Sequence, residues 1–357
     1  LERAGADQDY ITNSYTSDDL TRLEKQSGVV FGNGEEHRHN FEGYSEGYGH
    51  VMLLNIAKLI QPVSIGPGIM KAGTDGLPLA RGIETARNDG ATIVWCHNDF
   101  GRESVSNFLA GRVHALNIFD GSISSSYKDT FYRYLDAGLR VPFSTGTDWF
   151  QYDFSRVYVD VAGEPTVVKW LSSLAAGRSF ITNGPLLEFK VNGEGIGSTI
   201  HLPKKGTVTI EARATGRSDF EQIEIIENGD VKWTAPARRV GGHYEASLSV
   251  EVPIDSPAWL ALRTPPPPVE KDPELRVPVG KNDFGRDIFA HTSPIFVEVD
   301  GKSRFVPEIA QQLLTEMRND RDEIARIGKF ADDQEKARVL DVYHDGIREL
   351  ERRITQR

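Results

Sequence analysis

The segment GEEHRHNFEGYSEGYGHVMLLN, residues 34–55, carries Glu36, His37, His39 and His50, so three of the nine histidines in 357 residues lie in one short stretch. Two further groups share its chemistry: His97 at the end of ATIVWCH and Asp148 at the end of VPFSTGTD. Imidazole nitrogens and carboxylate oxygens are ligands for zinc, manganese or iron. An ion held by such groups polarises a substrate oxygen and generates hydroxide at neutral pH, which is hydrolytic chemistry. Each group alone has a plainer reading. A strand-end histidine is usually a structural hydrogen-bonder, GTD reads as an Asx turn, and HRH reads as a solvated loop. His114, His201, His243 and His344 lack strand-end context and read as structural.

The elements that must position these residues follow from the periodicity. From Asp9 to about Thr182, apolar runs such as GVVFGNGEE, GHVMLLNI, ATIVWCHN, VPFSTGTD and SRVYVDV alternate with helical stretches such as SDDLTRLEKQ, LPLARGIETARNDG and PTVVKWLSSLAAG. That alternation predicts βα units and a mainly parallel sheet, with function at the strand C-terminal ends. Glu36, His50, His97 and Asp148 all fall at or beside such ends. From Leu186 to about Asp300 the texture changes to short β runs with hairpin signals VNGEG, ENGD and VDGK, which predicts a β-sandwich. TPPPPVEKDPELRVPVGKNDFGRD interrupts it as an extended loop. Trp233, Trp259 and Tyr244 there are either sugar-stacking faces or, more commonly, core residues. From Val306 to Arg357, apolar residues recur at three and four, which predicts a helical hairpin.

Composition narrows the partners. Forty-one Lys and Arg against 52 Asp and Glu give a net charge of −11, which argues against a nucleic-acid binder. The single Cys96 excludes an intrachain disulfide framework and leaves the compartment open, cytoplasmic or exported. No apolar run reaches the length of a membrane span. The expected partner is a small-molecule substrate.

The motifs taken in order, GEEHR…GYGHVMLLN, GATIVWCHN, VPFSTGTD, SRVYV, AAGRSFITNGPLLEFKVNG and AHTSPIFVEVDGK, resemble the carbaryl-hydrolase (CehA/McbA) branch of the PHP superfamily. The resemblance covers nearly the whole chain. It implies an α/β fold: a distorted (β/α)7 barrel over 1–182, an antiparallel β-sandwich over 183–304 and a C-terminal helical segment over 305–357. It also implies a metal-dependent hydrolase acting on phosphoester, carbamate or carboxylic ester bonds, with Glu36, His50, His97 and Asp148 as metal ligands meeting at one mouth of the barrel. In that setting His37, Arg38 and His39 face the substrate pocket, and Arg156 and Asn98 orient ligands or substrate. The reading assigns catalytic roles to His37, His39 and Arg156.

Three departures qualify the implied site. The family's His-x-His on the first strand has no counterpart, so that strand is expected upstream of Leu1. ITNS, with Asn13 and Ser14, stands where Thr-Asp-His is common, and Asp148-Trp149-Phe150 stands where Asp-x-His is common. One or two divalent ions are therefore expected rather than three. The rival expectation is a PHP-like ligand-binding or interaction protein with impaired catalysis.

Overall fold

The structure, a computed structural model, describes residues 17–40, 47–61, 77–120, 125–148, 154–269 and 279–356. Asn13, Ser14, Trp149 and Phe150, which carry two of the departures, lie outside them, as does the expected strand DYITN. The described residues are a mixture of helices and several sheets, divided between two compact units. One unit falls within Leu1–His114, Val161–Ser172 and Gln312–Arg357, the other within Ala115–Asp160 and Ser173–Gln311.

The first unit opens with α1 (Ser17–Ser27), β1 (Gly34–Asn40), β2 (Gly47–Leu54), α2 (Ala80–Asn88), β3 (Thr92–Trp95) and α3 (Ser104–Leu109). β2 lies between β1 and β3 and pairs antiparallel with both. The expected parallel arrangement fails here for a reason of chain length. Only residues 41–46 separate β1 from β2, and a parallel crossover needs a dozen or more. Nor do the described strands close a (β/α)7 barrel. β1 also begins later than GVVFGNGEE suggests, because Val29, Val30 and Phe31 lie exposed ahead of it.

α2 buries Ala80, Ile83 and Ala86, one stripe at helical spacing. Its N-terminus is capped from a distance. The Glu103 carboxylate accepts the Leu79 and Ala80 amides at 2.7 and 3.0 Å, two of the donors that a helix leaves unpaired.

The second unit contains a short parallel pair, β4 (Ala115–Asn117) with β5 (Phe143–Ser144), and a π turn Lys128–Tyr132 that continues as α4 (Arg133–Asp136). β6 (Arg156–Val159) and β7 (Ser179–Thr182) flank α5 (Val167–Ala175) in sequence. They then join a sheet ordered β10 (Thr199–Leu202), β18 (Ile295–Val299), β16 (Ala258–Arg263), β17 (Ala290–Thr292), β7, β6. β12 (Gln222–Glu227) and β13 (Asp230–Pro236) extend from β16. A second sheet runs β14 (Arg238–Val240), β15 (His243–Ile254), β11 (Gly206–Gly216), β8 (Leu186–Val191), β9 (Glu194–Gly195).

β8 and β11 alternate exposed and buried residues along most of their length, and their inward side chains Phe189 and Ile210 share one core with Ile225, Leu262 and Val297. This is how a β-sandwich buries its faces. β10 and β18 depart from an all-antiparallel scheme by pairing in parallel. Trp259 is fully buried and Trp233 and Tyr244 pack against the core, so all three are packing residues.

The chain ends in α6 (Pro307–Ile327) and α7 (Asp333–Thr355). Asp332 caps α7 by accepting the Glu335 amide at 2.8 Å. Met317 of α6 meets Gly346 of α7, where a Cβ would come within 3.1 Å of the sulfur. Small against large is how the two helices approach.

Candidate metal centre

β1 reads Gly34-Glu35-Glu36-His37-Arg38-His39-Asn40, and strand parity divides it. Arg38 stands opposite His50 and Glu36 opposite Met52, so these four share one face. His37 stands opposite Val51, His39 opposite Gly49 and Glu35 opposite Leu53, which places them on the other.

On the first face Glu36 Oε1 lies 3.1 Å from His50 Nδ1 and 3.3 Å from His97 Nε2. The His50 and His97 rings meet edge to face at 4.7 Å. The three ligand atoms all lie within 4.8 Å of one another. Ligands about 2.05 Å from a tetrahedral ion stand roughly 3.3 Å apart, so the two measured separations suit a shared zinc-sized ion. His50 Nδ1 is buried and, despite its short distance to Glu36, is out of line for a hydrogen bond. A buried nitrogen without a proton partner, beside a carboxylate, is a lone pair held ready for a cation.

The electrostatics agree. His50 and then His97 hold the Glu36 carboxylate well below the usual carboxylate range. Burial lowers the His50 pKa, with Glu36 opposing it, so the ring favours the neutral form that binds metal. The Glu36 and His97 side chains keep 30% and 20% of their surface exposed while His50 keeps 4%. The cluster is therefore anchored on one side and open to solvent on the other.

Local backbone sets this geometry. His97, Asn98 and Asp99, directly after β3, have φ of 54°, 55° and 69°. Three successive non-glycine residues in the left-handed region are costly, and such strain gathers at functional sites. Two glycines allow the strand end to close over β2. A Cβ on Gly49 would stand 2.2 Å from the Trp95 ring, and one on Gly101 would stand 2.3 Å from Gly49 Cα. The Trp95 indole donates to the Phe100 carbonyl at 2.9 Å, and the Cys96 amide donates to the His50 carbonyl at 2.9 Å. Asn98 is buried in the strained turn beside the cluster.

Strand parity places His37 and His39, expected at the substrate pocket with catalytic roles, on the other face of β1. Both are buried on the face away from Glu36 and His50. His37 Nδ1 lies 2.9 Å from Glu35 Oε1, and its Nε2 lies 3.2 Å from His39 Nε2. Glu35 in turn accepts the Ile60 amide at 2.9 Å. α2 covers this row so closely that a Cβ on Gly82 would stand 2.1 Å from His37 Nε2. Arg38, by contrast, shares the face of Glu36, 3.8 Å from its carboxylate.

Asp148 and Arg156 belong to the second unit and are not among the three clustered ligands. Asp148 follows β5 with φ 44°, and Arg156 is exposed at the start of β6 with its guanidinium 4.6 Å from the Phe154 ring centroid. The signals that sequence reasoning passed over were the parity of β1 and the run His97-Asn98-Asp99 beyond a buried strand. No family model matches the chain, and no curated protein matches it.

Proposed function

We propose that the protein is a metal-dependent hydrolase of the PHP type, cleaving a phosphoester, carbamate or carboxylic ester bond. The observation that carries this reading is the convergence of Glu36, His50 and His97 on one point, with an unpartnered buried nitrogen and an open side. Three protein ligands with a free position are the pattern of catalytic rather than structural zinc sites. A divalent zinc, manganese or iron ion there would supply Lewis acidity and a water activated at neutral pH.

The residues themselves do the rest. His50, fixed by β2 and by the Cys96 amide on its carbonyl, sets the depth of the site. His97 approaches from the strained turn, and Glu36 contributes the negative charge. Arg38, on the same face, offers a cation to an anionic substrate group.

A second reading is a ligand-binding protein with impaired catalysis, favoured by the ITNS and Asp148-Trp149-Phe150 departures. Metal analysis joined to phosphodiester and aryl-ester assays separates the two. The expected result is stoichiometric metal and turnover in the wild type, both lost in His97→Ala, since loss of even an outer partner costs about tenfold to a hundredfold. His344→Ala is the control, because His344 lies on α7 beside Asp341 at 3.5 Å, remote in sequence from the ligands. Equal metal content in wild type and His97→Ala would sink the metal centre. Metal without turnover on any ester class would favour the binding protein.

A further inference from the structure

The second unit presents two large aromatic side chains to solvent close together. Phe154 and Phe284 are 51% and 49% exposed, and their ring centroids stand 4.5 Å apart at 47°. Exposed rings in contact mark a binding surface more often than single exposed apolar residues do.

Both rings are held out by built backbone. Phe154 has φ 62°, a true outlier for a bulky side chain, and strain of this kind persists where a function needs it. Phe284 sits in a tight turn organised by Asn282. That side chain accepts the Phe284 and Arg286 amides at 3.0 and 3.1 Å and donates to the Asn183 carbonyl at 3.2 Å.

Charge accompanies the rings. The Arg156 guanidinium lies over Phe154 and has no carboxylate at ion-pair distance among the described residues. Arg217 pairs with Asp283 at 3.2 Å, so the described residues that line the site keep one positive charge in excess, that of Arg156. Phe154, Arg156, Asn183, Arg217, Phe284 and Ile288 line a cavity of about 150 Å³. A cavity of roughly that volume holds one benzene-sized ring.

We infer that this cavity is a binding site for a monocyclic aromatic carboxylate, its ring against Phe154 and Phe284 and its carboxylate on Arg156. A planar guanidinium pairs with a carboxylate through two parallel hydrogen bonds, and aromatic rings favour tilted or edge contacts of the kind the two phenylalanines already make. A cationic ligand is repelled by the excess charge, and a small aliphatic acid leaves the rings uncovered. The inference rests on the second unit alone and does not depend on the metal centre.

The test is calorimetric titration of the full chain with benzoate, benzylammonium and acetate. Benzoate binds saturably, and the other two bind at least about tenfold more weakly, a difference of 1.4 kcal/mol in affinity. Arg156→Gln weakens benzoate by about tenfold, and Arg156→Lys recovers part of the loss. Phe154→Gly also weakens it while leaving the melting temperature unchanged or raised, because glycine accepts the left-handed backbone freely. Glu36→Gln leaves benzoate affinity intact.

No saturable benzoate binding, equal affinity for benzylammonium, or wild-type affinity in Arg156→Gln would overturn the site. So would a fall in melting temperature for Phe154→Gly, which would make the ring a packing residue. Loss of binding in Glu36→Gln would move the ligand to the metal cluster and overturn it equally.

Discussion

Two clusters, one in each unit, are built from similar side chains and reach opposite ends. In the second unit Arg263 donates to Glu224 at 2.8 Å and to the Tyr132 oxygen at 3.0 Å. The Tyr132 hydroxyl donates to His291 Nε2 at 2.7 Å, and His291 Nδ1–H donates to the Thr292 carbonyl at 2.8 Å. One tautomer satisfies the whole chain of bonds. In the first unit Glu36 Oε1, His50 Nδ1 and His97 Nε2 converge with only His97 in hydrogen-bonding geometry to Glu36, at 3.3 Å, and Arg38 at 3.8 Å is too far to hydrogen-bond that carboxylate. Matched donors and acceptors leave nothing for a ligand to do. Ligand-type atoms that converge with their bonding incomplete leave a cation as the natural partner.

The largest test of this contrast removes one member from each cluster. Arg263→Ala strands the buried Glu224 carboxylate and lowers stability by about 3–5 kcal/mol in urea denaturation. Glu36→Gln, measured without metal, costs clearly less than Arg263→Ala, because the Glu36 side chain is 30% exposed and water replaces part of its contacts with His50 and His97. Comparable losses in the two variants would erase the distinction.

Acid reaches the second cluster next. Burial, aided by Arg263, depresses the His291 pKa to about 3 from an ordinary 6.5. The unfolded chain therefore takes up a proton between pH 6.5 and 3 that the folded chain refuses. Stability present above 6.5 is lost as pH falls through that window, by up to roughly 4 kcal/mol. His291→Asn starts less stable and lacks this slope, which urea midpoints from pH 7 to 4 would reveal.

The first unit carries an opposite slope of smaller size. Burial raises the Glu103 pKa from 4.5 to about 7, against the opposing amides of Leu79 and Ala80. The folded chain then holds a proton that the unfolded chain releases. The stabilisation is complete below pH 4.5 and is lost as pH rises through 7, on the order of 3 kcal/mol. Glu103→Gln flattens this slope, and thermal melts between pH 5 and 8 are the measurement.

The legible parts of the molecule were those governed by local pattern. The alternation of LLEFKV and GTVTIEARATG gave away the sandwich strands, and the three-and-four spacing of the last fifty residues gave away two helices. The candidate ligands Glu36, His50 and His97 stood out because they border apolar runs. The pairing direction of β1 and β2 was also within reach, since residues 41–46 are too few for a parallel crossover. What local pattern hides is partnership at long range. Nothing near β6 and β7 announces that they join a sheet with β17, more than a hundred residues later. Nothing near Glu103 announces that it caps a helix beginning at Ala80.

The smallest prediction tests the parity of β1. Arg38 shares the face of Glu36, and its charge competes with any cation for that carboxylate. Both side chains are partly exposed, so their attraction is screened and amounts to about 0.2–1 kcal/mol. Arg38→Gln therefore tightens zinc binding by roughly twofold to fivefold at low salt, and the gain shrinks as ionic strength rises. His37 lies one residue away but on the opposite face, buried beneath α2 and bonded to Glu35. His37→Asn leaves zinc affinity unchanged within twofold, while the partly buried Glu35, left with the Ile60 amide alone, lowers stability by about 1 kcal/mol. Zinc titration with a competing chelator, run beside urea denaturation, reads both quantities. If His37→Asn weakened zinc as much as His97→Ala does, the two faces of β1 would serve one site and the division drawn here would fail.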